Sequence, residues 1–101
     1  MNVKSLARPY ARAAFETALA TNALDAWGNF LRNAASVSED PRVLRLMKSN
    51  AVNESNLDKL FREVLEKTLD TERKNFIRIL AENKRLPLLR EISDQYKALC
   101  D

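Results

Sequence analysis

Apolar residues recur along this chain every three or four positions, and nowhere do they alternate as a half-buried strand requires. The spacing predicts six helices and an all-α fold, a compact six-helix bundle formed by residues 1–101 as one domain. The first helix is expected from Lys4 to Ala20, with Pro9 tolerable near its first turn or as a slight kink. The second runs from Leu24 to Val37 and carries Leu24, Trp27, Phe30, Leu31 and Ala34 on one stripe. Asp40-Pro41 reads as a cap followed by proline at the first helical position, opening a short third helix with Val43, Leu44, Leu46 and Met47. Ser55-Asn56-Leu57-Asp58 has the form of a capping box and starts the fourth, whose buried face is Leu57, Leu60, Phe61, Val64 and Leu65. Asp70 caps the fifth, which extends to Asn83, and the sixth begins at Pro87 and buries Leu88, Leu89, Ile92, Tyr96 and Leu99.

Two of these helices carry more apolar surface than one core-facing stripe needs. With about 100° between successive residues, the small and apolar positions of the first helix cover an arc of about 220°, against little more than about 100° for a single buried face. Phe15, Ala11, Ala18 and Leu19 are expected to face the core, leaving Tyr10, Ala13, Ala14 and Thr17 on a second, shallow face. On the fifth helix, Ile77 and Ile79 stand about 160° apart, so packing Phe76, Ile77 and Leu80 inward brings Ile79 toward the surface. Spacing alone leaves Ile79 two placements, core or surface; Trp27 reads as a core anchor and Tyr10 as half-exposed. Two such faces side by side form a groove suited to an amphipathic helix from another protein.

Composition narrows the chemistry. The chain has no histidine, one glycine and one cysteine. Without histidine there is no imidazole acid–base catalysis or histidine metal site. Glu63 and Glu66 share a helix face but lack the Glu-x-x-His partners of a carboxylate-bridged di-iron bundle. Cys100 has no second cysteine and no neighbouring base, consistent with a reduced compartment. Neither a catalytic residue nor a cofactor is therefore expected. The net charge is +3; the excess lies in residues 1–50, scattered between Lys4 and Lys48, while residues 51–101 are balanced. A phosphate-binding surface needs clustered cations, so a basic helical RNA- or DNA-binding module is the alternative reading, not the first. No apolar run reaches the ~20 residues that span a bilayer, the start is not a secretory signal, and the Asn53-Glu54-Ser55 sequon reads as coincidence.

The stretch Ala7-Arg8-Pro9-Tyr10-Ala11-Arg12, followed by Ala14-Phe15, resembles the opening of the delta subunit of bacterial F-type ATP synthases, the family of the mitochondrial oligomycin-sensitivity-conferring protein. A second block, Asn75-Phe76-Ile77-Arg78-Ile79-Leu80-Ala81-Glu82-Asn83-Lys84-Arg85-Leu86, is similar to that family's other distinctive run, and Trp27 falls where the family tends to have tryptophan. The resemblance implies the six-helix N-terminal domain of a non-catalytic stator subunit. Such a domain binds the N-terminal amphipathic helix of an alpha subunit between its first and fifth helices, through Tyr10, Ala14 and Ile79 with Ala13, Thr17, Phe76 and Glu82 nearby. It also implies a peripheral location on the cytoplasmic face of the bacterial inner membrane, with no membrane insertion and no nucleic acid. Peripheral-stalk b subunits would be engaged through a C-terminal part that this chain lacks. Where the family often has glycine, this chain has Lys84, so Asn83 is expected to take the left-handed conformation that ends the fifth helix.

Overall fold

The computed structural model describes residues 2–101, which form six α-helices and no strand. They are α1 (Val3–Ala20), α2 (Leu24–Glu39), α3 (Pro41–Lys48), α4 (Glu54–Val64), α5 (Thr71–Glu82) and α6 (Leu89–Cys100). Single 3₁₀ turns, Glu66–Thr68 and Leu86–Leu88, precede α5 and α6. The sixth helical segment thus opens as a 3₁₀ turn around Pro87 before becoming α-helical at Leu89.

Short polar side chains set most of the starts, by accepting hydrogen bonds from backbone N–H groups that have no partner inside the helix. Asn2 accepts from the Ser5 N–H at 2.8 Å, Asp40 from Arg42 at 2.8 Å and Asp70 from Arg73 at 2.9 Å. The fourth helix begins earlier than the capping box suggests. Its cap is Asn53, in extended conformation, accepting from the Asn56 N–H at 2.9 Å, and Ser55 is already helical. α1 continues through Pro9, whose ring is exposed.

Two helices end in a left-handed residue, Asn22 at φ 58° and Lys84 at φ 59°. At the end of α5 the Arg85 N–H reaches the Leu80 carbonyl at 2.7 Å and the Lys84 N–H reaches Ala81 at 3.1 Å, the paired bonds of a Schellman motif. The expectation for Asn83 is corrected: it keeps φ −90° and serves as the C-cap, and the left-handed position falls to Lys84.

The bundle measures 38 × 32 × 20 Å, its thin dimension being about two helix diameters. α6 packs along α1 and α2, while α4 pairs with α5. The core is centred on Phe30, Leu31, Phe61, Ile77, Leu80, Leu86, Leu89 and Ile92, all fully buried. Trp27 anchors an aromatic cluster, edge-on to Phe30 and to Phe76 with centroids 5.4 Å away in each case. Arg73 lies over the Trp27 ring at 6.0 Å and pairs with Asp70 at 3.0 Å, its Nε buried without a partner.

The inward face of α1 is not the expected one. Ala7, Ala11, Ala14 and Ala18 are buried, Phe15 is half-buried and Leu19 is 53% exposed. Taking Tyr10 as zero, this alanine stripe is centred near about +70°, with Tyr10 and Phe15 flanking it about 70° to either side. A helix lying close to α2 and α6 has room for methyl groups at its line of approach and puts larger side chains at the margins. Val64 of α4 and Leu99 of α6, read as inward-facing, are likewise exposed, each lying in the last turn of its helix.

Candidate protein-binding seam

The two flanks of α1 meet different neighbours. On one side Phe15 packs edge-on against Tyr96 of α6, centroids 6.2 Å apart. The Tyr96 hydroxyl donates to the Leu24 carbonyl at 2.6 Å, and burial pushes its pKa up from the ordinary value. On the other side Tyr10 reaches α5: the Asn83 side-chain N–H donates to the Tyr10 hydroxyl at 3.1 Å.

The direction of α5 follows from its other contacts. Trp27 sits just past the turn that ends α1, and it touches Phe76 and Arg73 in the first half of α5. Asn83, at the far end of α5, meets Tyr10 in the first half of α1. α5 therefore starts near the first turn of α2 and ends beside the first half of α1. Ala81 lines a hollow with Leu57 of α4 and Leu86, so the face of α5 carrying Ile77 and Ala81 turns toward α4. Asn83 turns toward α1, with Ile79 one turn before it on the same side of the helix, and Phe76 turns toward Trp27 and Phe30 of α2.

Along this seam Tyr10 and Thr17 are half-buried, Ala13 is exposed and Ile79 is 43% exposed. Phe76 is buried against Trp27 and Phe30 of α2, and Glu82 is exposed on the outer side of α5, 3.9 Å from Arg78. The expectation that Ala14 lies on the shallow face is corrected: it is 1% exposed and belongs to the alanine stripe below the seam. Other surface hollows lie elsewhere, one of about 570 Å³ between α2 and α6 lined by Asp25, Arg32, Arg90 and Lys97 among others. A second is framed by Lys4, Arg8 and Arg12 of α1 with Glu91 and Asp94 of α6.

Other large apolar side chains are exposed too, Val3, Leu19 and Val64 among them, and single exposures of this kind are ordinary. Ile79 differs because it stands one turn before Asn83, whose side chain bonds the half-buried Tyr10. Asn83 was not among the residues the sequence singled out for this site. Its signal was its place one turn after Ile79, on the same edge of the helix.

Among the described residues there is no group of three or more His, Cys, Asp or Glu side chains that could hold a metal ion, and no helix long and apolar enough to cross a membrane.

The chain is similar to bacterial proteins named ATP synthase subunit delta. It is 40% identical to that of Idiomarina loihiensis over 95 residues, 94% of this chain and 53% of the relative. It is 43% identical to that of Marinobacter nauticus over 93 residues, 92% of this chain and 52% of the relative. With the Haemophilus ducreyi protein the identity is 37% over 97 residues, 96% of this chain and 54% of the relative. The chain thus spans about half the length of the curated relatives it matches. Residues 6–101 match the family described as ATP synthase delta (OSCP) subunit. Bounded by the two sequence blocks that resemble that family, the α1–α5 seam lies in a chain that belongs to the ATP synthase delta (OSCP) subunit family.

Proposed function

We propose that this bundle is the N-terminal domain of a delta subunit and acts as a non-catalytic stator element of an F-type ATP synthase. In this reading the seam between α1 and α5 binds the N-terminal amphipathic helix of an alpha subunit. Tyr10, Ala13, Thr17, Ile79 and Glu82 lie at or beside the contact, with Phe76 and Ala14 buried behind them. The observation that carries the reading is the exposed Ile79 one turn before Asn83, whose side chain bonds the half-buried Tyr10. The work is mechanical. A stator resists the torque of rotary catalysis through a static contact with a slow off-rate, and apolar helix-in-groove packing supplies that without bond chemistry.

The peripheral-stalk b subunits are, on this proposal, engaged by the part of a full-length delta subunit that has no counterpart in these residues. The assembled protein would sit peripherally on the cytoplasmic face of the bacterial inner membrane. The basic module reading has less support: the row Lys4, Arg8 and Arg12 shares its hollow with the carboxylates of Glu91 and Asp94, unlike a track for phosphates.

A titration with an alpha-subunit N-terminal peptide tests the reading. Ile79→Asp is expected to cost about 2–4 kcal/mol of binding, or about 30- to 1000-fold in affinity, with unchanged circular dichroism. Unchanged affinity, or NMR shift changes that avoid α1 and α5, would defeat it.

A further inference from the structure

The charges around the seam are sorted by sign. On α1 the cations Lys4, Arg8 and Arg12 lie on the α6 side, framing the hollow with Gln95 and Leu99. With Tyr10 at zero, they fall between about +120° and +200° on the helical wheel, whereas Glu16 falls near about −120°, beyond Ala13 on the seam side. On α5, Glu72 shares the edge of Ile79 and Asn83, and Glu82 stands on the outer rim beside Asn75. Lys74 projects from the opposite side of α5, and Lys84 turns away with the hollow that contains Leu57 and Leu86. Arg73 is held by Asp70 at 3.0 Å with only 14% of its side chain exposed. Arg78 is the cation beside this rim, and its contact with Glu82 is long, 3.9 Å between two exposed side chains. An apolar strip is thus bordered by Glu16, Glu72 and Glu82 on a chain whose net charge is +3.

We propose that the α1–α5 seam selects an amphipathic helix whose apolar stripe is flanked by lysine or arginine. This inference rests on the reading of the seam as a helix-binding site and adds the charge of the occupant. Apolar contact with Ile79, Tyr10 and Thr17 holds the helix, while the three carboxylates favour basic neighbours and disfavour acidic ones.

The test uses the 101-residue chain and two synthetic peptides with one apolar stripe at i, i+3, i+4 and i+7, flanked in one by lysine and in the other by glutamate. Calorimetry gives the affinities, and NMR shift mapping gives the site. The lysine peptide is expected to bind about tenfold more tightly in low salt. The gap closes toward 1 M salt, where the screening length falls to about 3 Å. The triple variant Glu16→Gln, Glu72→Gln, Glu82→Gln should erase the preference while keeping the helical circular dichroism and the shift changes at Tyr10 and Ile79. Equal affinities of peptides that both map to the seam would overturn the charge preference and leave the helix-binding reading standing. Shift changes elsewhere would overturn both.

Discussion

The Asn83 amide donates to the Tyr10 hydroxyl at 3.1 Å, joining residues 73 positions apart in the sequence and tying the end of α5 to the first half of α1. Both helices also meet the rest of the core, so this bond need not hold the fold together; it sets where one end of the seam lies. Removing an exposed neutral hydrogen bond costs at most about 0.5–1 kcal/mol. Tyr10→Phe is therefore expected to lower the urea midpoint slightly and leave the helical signal intact. It should also shift the Asn83 side-chain NH₂ resonances more than those of any other asparagine. A large loss of stability would mean that the bond carries structural weight.

Ile77 and Ile79 are two residues apart with opposite surroundings. Ile77 is fully buried against the core, and Ile79 is at the seam. Ile77→Ala should cost about 2–5 kcal/mol of stability through lost burial and the cavity left behind, a large share of what a domain this size has. Ile79→Ala should change stability by no more than about 0.5 kcal/mol, and only this variant should weaken alpha-peptide binding without unfolding. Chemical denaturation of both variants, beside one binding titration, checks the contrast.

The alanine stripe of α1 makes a further demand. Ala11 is fully buried where α1 lies along its neighbours. Ala11→Leu adds three carbons where the surrounding packing leaves no room, at an expected cost of about 1–3 kcal/mol. Ala13→Leu, two residues on and exposed on another face of the helix, should be close to neutral in urea denaturation. If Ala11→Leu were as harmless as Ala13→Leu, the close approach of α1 would be wrong.

Much of this architecture was legible in the sequence. On α5 spacing left Ile79 open between core and surface, and the inward packing of Phe76, Ile77 and Leu80 decides it; Asp40 and Asp70 announce their helices through their side-chain oxygens. α1 was harder. A wheel gives the angles between residues but not the direction of the interior, and the bulk of Phe15 and Leu19 draws the inferred centre toward them. The true centre is set by how closely the neighbouring helices approach, a tertiary quantity that places Ala14 inside and Leu19 outside. Within the seam, Tyr10 and Ile79 were visible as surplus apolar surface. Asn83 was assigned a backbone role because its side-chain partner lies in a distant part of the chain.

Acid should weaken the junction between α2 and α3. Asp40 accepts from the Arg42 N–H at 2.8 Å and pairs with its guanidinium at 2.9 Å. These contacts hold its carboxyl at about 2, below its ordinary 3.8. A depressed pKa means that the folded state releases the proton more readily than the unfolded chain. The contribution is therefore present above about pH 4 and is lost as pH falls toward about 2. Asp40→Asn keeps a capping oxygen but neither the charge nor the titration. The urea midpoint of the native chain should exceed that of the variant at pH 6, converge with it near pH 2, and exceed it by less in 1 M salt. Glu39, whose pKa is lowered mainly by its hydrogen bonds from Arg90, also favours the folded state above its titration range, but it is common to both proteins and cancels in the comparison.

The end of α5 provides the sharpest separation of backbone from side chain. Lys84 occupies φ 59°, a left-handed conformation that costs a residue with a Cβ about 1 kcal/mol and glycine almost nothing. Lys84→Gly should therefore stabilise the domain by up to about 0.5–1 kcal/mol, the relief being partly offset by the greater freedom of glycine in the unfolded chain. Asn83→Gly should do the opposite. Asn83 already has φ −90°, so glycine relieves nothing there, adds entropy to the unfolded chain and removes the bond to Tyr10. Thermal melts of the two variants should move in opposite directions from the native chain. If both moved the same way, the assignment of the left-handed position to Lys84 would be at fault, and with it the geometry that brings the Asn83 side chain to Tyr10.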